Sequence, residues 1–269
     1  PGFLSSIWSP SKREVVSAFQ FDTVVSFKYF SYTTGESASV GRDVRSVAFS
    51  PDGKLIAYFK RNGDRGEVGL AQPDGSGSKK ILSTRIPVLT LSWVTDHRII
   101  LQTADNGSGL SYLLGLAPDG NLVPLIEPAR NLQAQWSKDG SRAVVSFSDR
   151  DGAVGLYLYQ SDSRSVTPLD IRTSASQCAW SGDTITVVCG IPQSPIIFGN
   201  TQSRIVSAED IYRINITDKI KTLLYQSPKN GLPAQAGARV SLDGIFFSTL
   251  ENYVVFVNAF DGKLYRLRL

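Results

Sequence analysis

The chain has 269 residues, 42% hydrophobic and 19% charged, so a sizeable core is feasible and a disordered or fibrous protein is excluded. The net charge of +4 is scattered, and its denser groups (Lys60, Arg61 and Arg65, then Lys263, Arg266 and Arg268) lack the interleaved aromatics of a nucleic-acid groove. No apolar run nears the roughly 18 to 20 residues of a membrane helix, and one histidine with two cysteines offers no zinc set; neither nucleic acid, membrane insertion by this segment, metal nor cofactor is expected.

In chain order, the first strand is expected at residues 3–8, ending on Trp8-Ser9-Pro10-Ser11. A second unit reads as four strands, at residues 44–49, 55–59, 67–71 and 79–82. Its turn Phe49-Ser50-Pro51-Asp52-Gly53 makes a tight hairpin, since Pro presets φ and Gly supplies φ > 0. Pro73-Asp74-Gly75 separates its third strand from its fourth. The third unit opens on Trp93-Val94-Thr95-Asp96 and repeats the later turn at Pro118-Asp119-Gly120. The fourth opens on Trp136-Ser137-Lys138-Asp139-Gly140, with Ser148-Asp149-Arg150-Asp151-Gly152 ahead of a strand at 154–159. The fifth opens on Trp180-Ser181-Gly182-Asp183 and carries two long polar loops, 191–208 and 227–243. The sixth is degenerate: Phe247-Ser248-Thr249-Leu250-Glu251-Asn252 joins strands at 244–248 and 253–258, and a third strand at 264–269 ends the chain.

The aromatics at 8, 49, 93, 136 and 180 are 41, 44, 43 and 44 residues apart and include all four tryptophans. No segment carries a helical period, whereas short alternating or apolar runs recur. Four short strands per repeat of about 43 residues describe propeller blades. The expected fold is therefore all-β: a single six-bladed β-propeller of four-stranded antiparallel blades, with units at 3–41, 42–84, 85–128, 129–170, 171–226 and 227–269. The last blade lacks its outer strand within this chain. With no methionine and no signal peptide at the start, an excised or processed domain is expected, residues upstream of Pro1 supplying the missing strand and any anchor.

The tryptophans could form a ligand-stacking ring, but their place on the first strand of each unit favours packing between blades. Asp52, Asp96, Asp139 and Asp183 fall in the turns, where an Asp side chain caps its own backbone. Such turns lie too far apart to give the paired carboxylates of a glycosidase. His97 is the single histidine and lies in a hairpin turn, and no Gly-x-Ser-x-Gly elbow exists, so no catalytic residue is expected. Cys178 and Cys189 are neighbours across the fifth hairpin in one register and on opposite faces in the next. Buried free thiols are the default there, and a disulfide is the alternative that would mark an oxidising compartment. Within 191–208, Ile196, Ile197 and Phe198 form an apolar group flanked by Gln193, Asn200 and Gln202. It either caps the core or is the contact for a partner.

The run Val47-Ala48-Phe49-Ser50-Pro51-Asp52-Gly53-Lys54-Leu55-Ile56-Ala57-Tyr58 resembles the repeats of the bacterial Tol-system propeller protein family. Ser148-Asp149-Arg150-Asp151-Gly152, with the strand at 154–159, is similar to the second half of that repeat. The resemblance extends over residues 6–269 and is strongest in units two and four. Residues 210–214 and 264–269 also look like bacterial proteins that join an anchored N-terminal region to a propeller. Similar repeats occur in the propeller domains of prolyl-peptidase enzymes. The resemblance implies an architecture and partner binding, and no reaction. The expectation is a non-catalytic protein-interaction or surface-binding scaffold of a bacterial cell envelope, extracellular or periplasmic, whose partner is another protein or a cell-surface component. The alternative is a hydrolase, or the substrate-gating propeller domain of one, with its site at the central channel.

Overall fold

A computed structural model of the protein describes residues 2–104, 109–194, 207–228 and 238–269. Among them the chain forms β-strands and one 3-10 turn at Ala175–Gln177, with no α-helix. It divides into two parts, residues 1–128 and 129–269. In the first part β1 (Gly2–Trp8), β2 (Glu14–Phe21), β3 (Val24–Ser31) and β4 (Ser37–Ser39) form one antiparallel sheet in that order. A second sheet holds β5 (Val44–Phe49), β6 (Ile56–Asn62), β7 (Arg65–Ala71) and β8 (Lys79–Thr84), and a third begins with β9 (Leu89–Thr95), β10 (Arg98–Thr103) and β11 (Ser111–Leu116). β12 (Leu122–Trp136) ends that third sheet and opens the fourth, which continues through β13 (Arg142–Ser148), β14 (Val154–Gln160) and β15 (Ser165–Ile171). A fifth sheet holds β16 (Cys178–Trp180), β17 (Thr186–Pro192), β18 (Glu209–Asn215) and β19 (Lys221–Tyr225), and the last has three strands, β20 (Leu242–Phe247), β21 (Tyr253–Asn258) and β22 (Leu264–Arg268).

The aromatic repeat expected from the sequence sets the register of every first hairpin. Trp8 faces Val15, Phe49 faces Ile56, Trp136 faces Ala143, Trp180 faces Val187 and Phe247 faces Val254, each seven residues on. Trp93 faces Ile99, one residue fewer, beside a bulge at Arg98. The serine after five of the six aromatics explains the motif. Its N–H donates to the carbonyl five residues on, at 2.9 Å for Ser9, Ser50, Ser137, Ser181 and Ser248. Except at Ser181, its hydroxyl also accepts the N–H of that same residue. Each of these turns needs a left-handed residue at the same place, filled by Gly53 and Gly140 but also by Lys12, Thr184 and Glu251.

Strand alternation then stacks neighbouring sheets on one another. In β6, Ile56 and Tyr58 pack with Val16 and Phe27 of the first sheet, while Ala57 and Phe59 pack with Leu89 and Leu101 of the third. In β17, Val187 and Cys189 face Val144 and Leu156 of the fourth sheet, and Val188 faces Leu242 and Val254 of the last. A strand whose two faces are both buried contributes roughly 1.5–3 kcal/mol per large apolar side chain, and a slip of one residue would exchange both faces at once.

Three expectations change. Units three and four are not separate four-stranded blades: they share β12 in one seven-stranded sheet, and β12 already pairs with β13 at Arg130, just before the left-handed Asn131 inside a register shift. The anchor aromatics are not uniformly buried. Phe49 is 7% exposed, but Trp8, at the equivalent place, is 43% exposed and stacks on Tyr32 at 5.5 Å. Finally, Cys178 and Cys189 are not free thiols. The register sets them directly opposite each other with Cα atoms 4.1 Å apart, and they are joined as a disulfide.

Candidate functional site

The long loops of the fifth unit spring from a frame of buried polar groups. Gln193, just past β17, donates its amide to Asp210 Oδ1 at 2.8 Å and to the Ser227 carbonyl at 2.6 Å. Asp210 also accepts the Ser227 N–H at 2.9 Å, and the Ser227 hydroxyl accepts the Val240 N–H at 3.0 Å. Glu209 is 1% exposed, and its carboxylate accepts the Leu242 N–H at 2.8 Å and the Ser241 hydroxyl at 3.4 Å. Asn258 accepts the Ser241 N–H and donates to the Arg239 carbonyl. Tyr225 donates its hydroxyl to the Ala238 carbonyl at 2.5 Å, and burial raises the pKa of that phenol. Burying a carboxylate is costly unless its oxygens are hydrogen-bonded. Here both acids are engaged with backbone N–H groups, and the stems at Gln193, Ala208, Ser227 and Val240 are fixed together.

Of the expected contact residues, Ile196, Ile197 and Phe198 lie outside the described residues, as do Asn200 and Gln202; Gln193 is placed, as part of the frame. Sequence reasoning missed Glu209 and Asp210. The signal was there: two adjacent acids at a strand start, which alternation sends to opposite faces.

Three of the four expected turn acids act as caps, whereas Asp96 is exposed and makes no such bond among the described residues. Asp52 accepts the Ser50 hydroxyl at 2.7 Å and the Lys54 N–H at 3.1 Å, and these bonds, the hydroxyl's foremost, hold its pKa down. At Asp139, burial pushes the pKa up but is outweighed by hydrogen bonds from Ser137 and Ser141. At Asp183, burial is likewise outweighed by Thr186 and Ile185. Acids held ionised in this way are poor proton donors. His97 is exposed in its turn.

In residues 1–128 the first strands β1, β5 and β9 line a depression of about 620 Å³. Its wall includes Ile7, Trp8, Phe49, Leu89, Leu91 and Trp93, and its only charged side chain is Arg45. Among the described residues no group of three or more His, Cys, Asp or Glu side chains gathers as a metal set. No helix there is long and apolar enough to cross a membrane.

No family model matches this sequence, and no curated protein matches it. Solved structures do. TolB from Acinetobacter baumannii aligns over 98% of this chain and 60% of its own, with a TM-score of 0.58 and 16% identity. An oligogalacturonate lyase in complex with manganese aligns over 100% of this chain and 77% of its own, at 0.70 and 13%. The β-propeller domain of the trilobed protease from Pyrococcus furiosus aligns over 99% and 92%, at 0.55 and 13%. These likenesses establish the fold, a β-propeller architecture that resembles TolB-like propellers. The chain spans three fifths of the TolB structure it matches.

Proposed function

We propose that this chain is a non-catalytic interaction scaffold of a bacterial cell envelope, extracellular or periplasmic, that holds another protein or a cell-surface component with the loops of its fifth unit. In this reading its six units form one six-bladed propeller, with β12 serving both the third and the fourth blade and the sixth blade represented by three strands among the described residues. One observation carries the proposal: the depression walled by β1, β5 and β9 holds no carboxylate, histidine or thiol. Asp52, Asp139 and Asp183 of the turns and Glu209 and Asp210 of the loop frame are engaged instead in capping backbone. A Cys178–Cys189 disulfide supports an oxidising compartment.

Shortening residues 194–207 to a tight turn in the full-length protein tests the reading. Folding should survive while cross-linking to the partner is lost, and undiminished cross-linking would move the contact elsewhere. A second reading, the substrate-gating domain of a hydrolase, is favoured by the likeness to the propeller domain of a protease. Turnover of an ester, glycoside or peptide that a single Asp or Glu substitution abolishes would replace the scaffold reading with that one.

A further inference from the structure

At the end of the second sheet opposite the Phe49 turn lies a depression of about 800 Å³. Four cations converge on it: Arg42 from the segment before β5, Arg65 at the start of β7, Lys80 in β8 and Arg85 just beyond β8. None of the four has a side-chain ion pair or hydrogen bond among the described residues. A fifth, Lys60, is held by Glu67 at 3.1 Å, and Glu67 also takes the Tyr58 hydroxyl at 2.9 Å. Asp43 is the other acid of the lining, and none of the four cations is paired with it. Unneutralised like charges around one concavity repel each other and do nothing for folding, but they raise the local concentration of anions. Guanidinium groups match carboxylate and sulfate oxygens two at a time.

The rest of the lining decides the class of anion. Asn62, Ser83 and Thr84 offer neutral hydrogen-bonding groups, and the wall has no aromatic and no aliphatic side chain. A protein partner would want an apolar or aromatic anchor, and a single nucleic-acid strand would want faces on which its bases stack. A hydrated chain bearing regularly spaced oxyanions and many hydroxyls needs neither. We propose that this depression binds a linear acidic polysaccharide, its carboxylate or sulfate groups on Arg42, Arg65, Lys80 and Arg85 and its hydroxyls on Asn62, Ser83 and Thr84. The proposal uses no residue of the fifth unit and holds whether or not that unit contacts a partner.

The test titrates the full chain at low ionic strength with fluorescently labelled glycans: a short alginate oligouronate, dextran sulfate and neutral dextran. An acidic glycan should bind and neutral dextran should not, and preference between the two acidic glycans names the anionic group. The Lys80→Gln/Arg85→Gln variant should weaken binding about tenfold, since an exposed charge contact is worth up to about fivefold. Added salt should weaken it further. A Lys138→Gln/Arg150→Gln control, with the same change in net charge, should bind like the parent. Melting curves confirm that each variant folds, and Arg42→Gln serves as a second, independent substitution. The proposal is overturned if neither acidic glycan binds, if the control loses as much as the double variant, or if polyglutamate binds as tightly as the glycans, which would make the ligand an acidic peptide.

Discussion

Glu251 of the sixth unit closes on the turn after Trp180 in the fifth: Oε2 accepts the Ser181 hydroxyl and Oε1 the Gly182 N–H, each at 2.7 Å. In the second and fourth units that serine hydroxyl donates to the aspartate two residues on, Asp52 or Asp139. Asp183 instead accepts the Ile185 and Thr186 N–H groups, and the Ser181 hydroxyl is satisfied from the neighbouring sheet. A Cβ at position 182 would lie 2.8 Å from Glu251 Oε1, so a side chain there would have to displace the end of the Glu251 carboxylate. Glu251→Ala removes two charge-assisted hydrogen bonds from an exposed site and should lower stability by about 1–2 kcal/mol in urea unfolding. A loss below about 0.3 kcal/mol would mean that the latch contributes nothing.

The anchor aromatics should separate by burial rather than by size. Phe49, 7% exposed, should cost about 3–5 kcal/mol on truncation to Ala. Trp8→Ala, at 43% exposure, should cost under about 1.5 kcal/mol, mostly its stacking on Tyr32. Trp136, partly buried edge-on against Tyr159, should fall between them. Equal losses at Phe49 and Trp8 would show that the Trp8 ring is as buried as that of Phe49 in solution.

The repeat was legible because one hairpin chemistry recurs. The aromatic, the serine after it and the left-handed residue of the turn are local features, so Trp8, Phe49, Trp136 and Trp180 could be aligned from spacing alone. What happens between sheets was not legible. β12 reads as two strands by analogy with other units, but whether a strand breaks between Leu122 and Trp136 depends on partners far away in sequence. The disulfide turned on a single step of register, which the composition of 178–189 does not settle. The loop frame was hidden for the same reason: Glu209 and Asp210 meet Leu242 and Ser227 only after the fifth and sixth sheets have formed. The cations of the second sheet, read in sequence as scattered charge, meet because β5, β6, β7 and β8 all bring an end to one place.

Three of the left-handed turn residues are not glycine, and Thr184 is the least suited of them. It is β-branched at φ 59°, where its Cβ crowds the backbone. Its only hydrogen bond in the turn is the N–H to the Ser181 carbonyl at 3.3 Å, which glycine keeps. Thr184→Gly should therefore raise stability by about 0.5–1 kcal/mol despite the extra freedom of the unfolded chain. The reciprocal change at the equivalent place, Gly140→Thr, should lower it by about 1–2 kcal/mol. Paired unfolding curves check both, and a loss at Thr184→Gly would show that the side chain makes a contact outweighing its backbone cost.

Alkaline pH should loosen the first two sheets. Burial pushes the Tyr29 phenol up to about 12, helped by its hydrogen bond to Glu14 at 2.6 Å, and Tyr58 to about 12, helped by Glu67 at 2.9 Å. In the unfolded chain both titrate near the ordinary value of about 10. Between pH 10 and 12 the folded state therefore holds more protons than the unfolded one, and stability falls as pH rises; below pH 10 the contribution of both groups is fully present. Tyr225 and Tyr265 are shifted the same way, so a residual slope is expected from them. The Tyr29→Phe/Tyr58→Phe variant should have a visibly shallower decline over this window, measured by urea unfolding at a series of pH values. Its tyrosinate absorbance titration should also lose the latest-ionising component. An unchanged slope would mean that these two phenols titrate alike folded and unfolded, and that their burial against Glu14 and Glu67 is not maintained in solution.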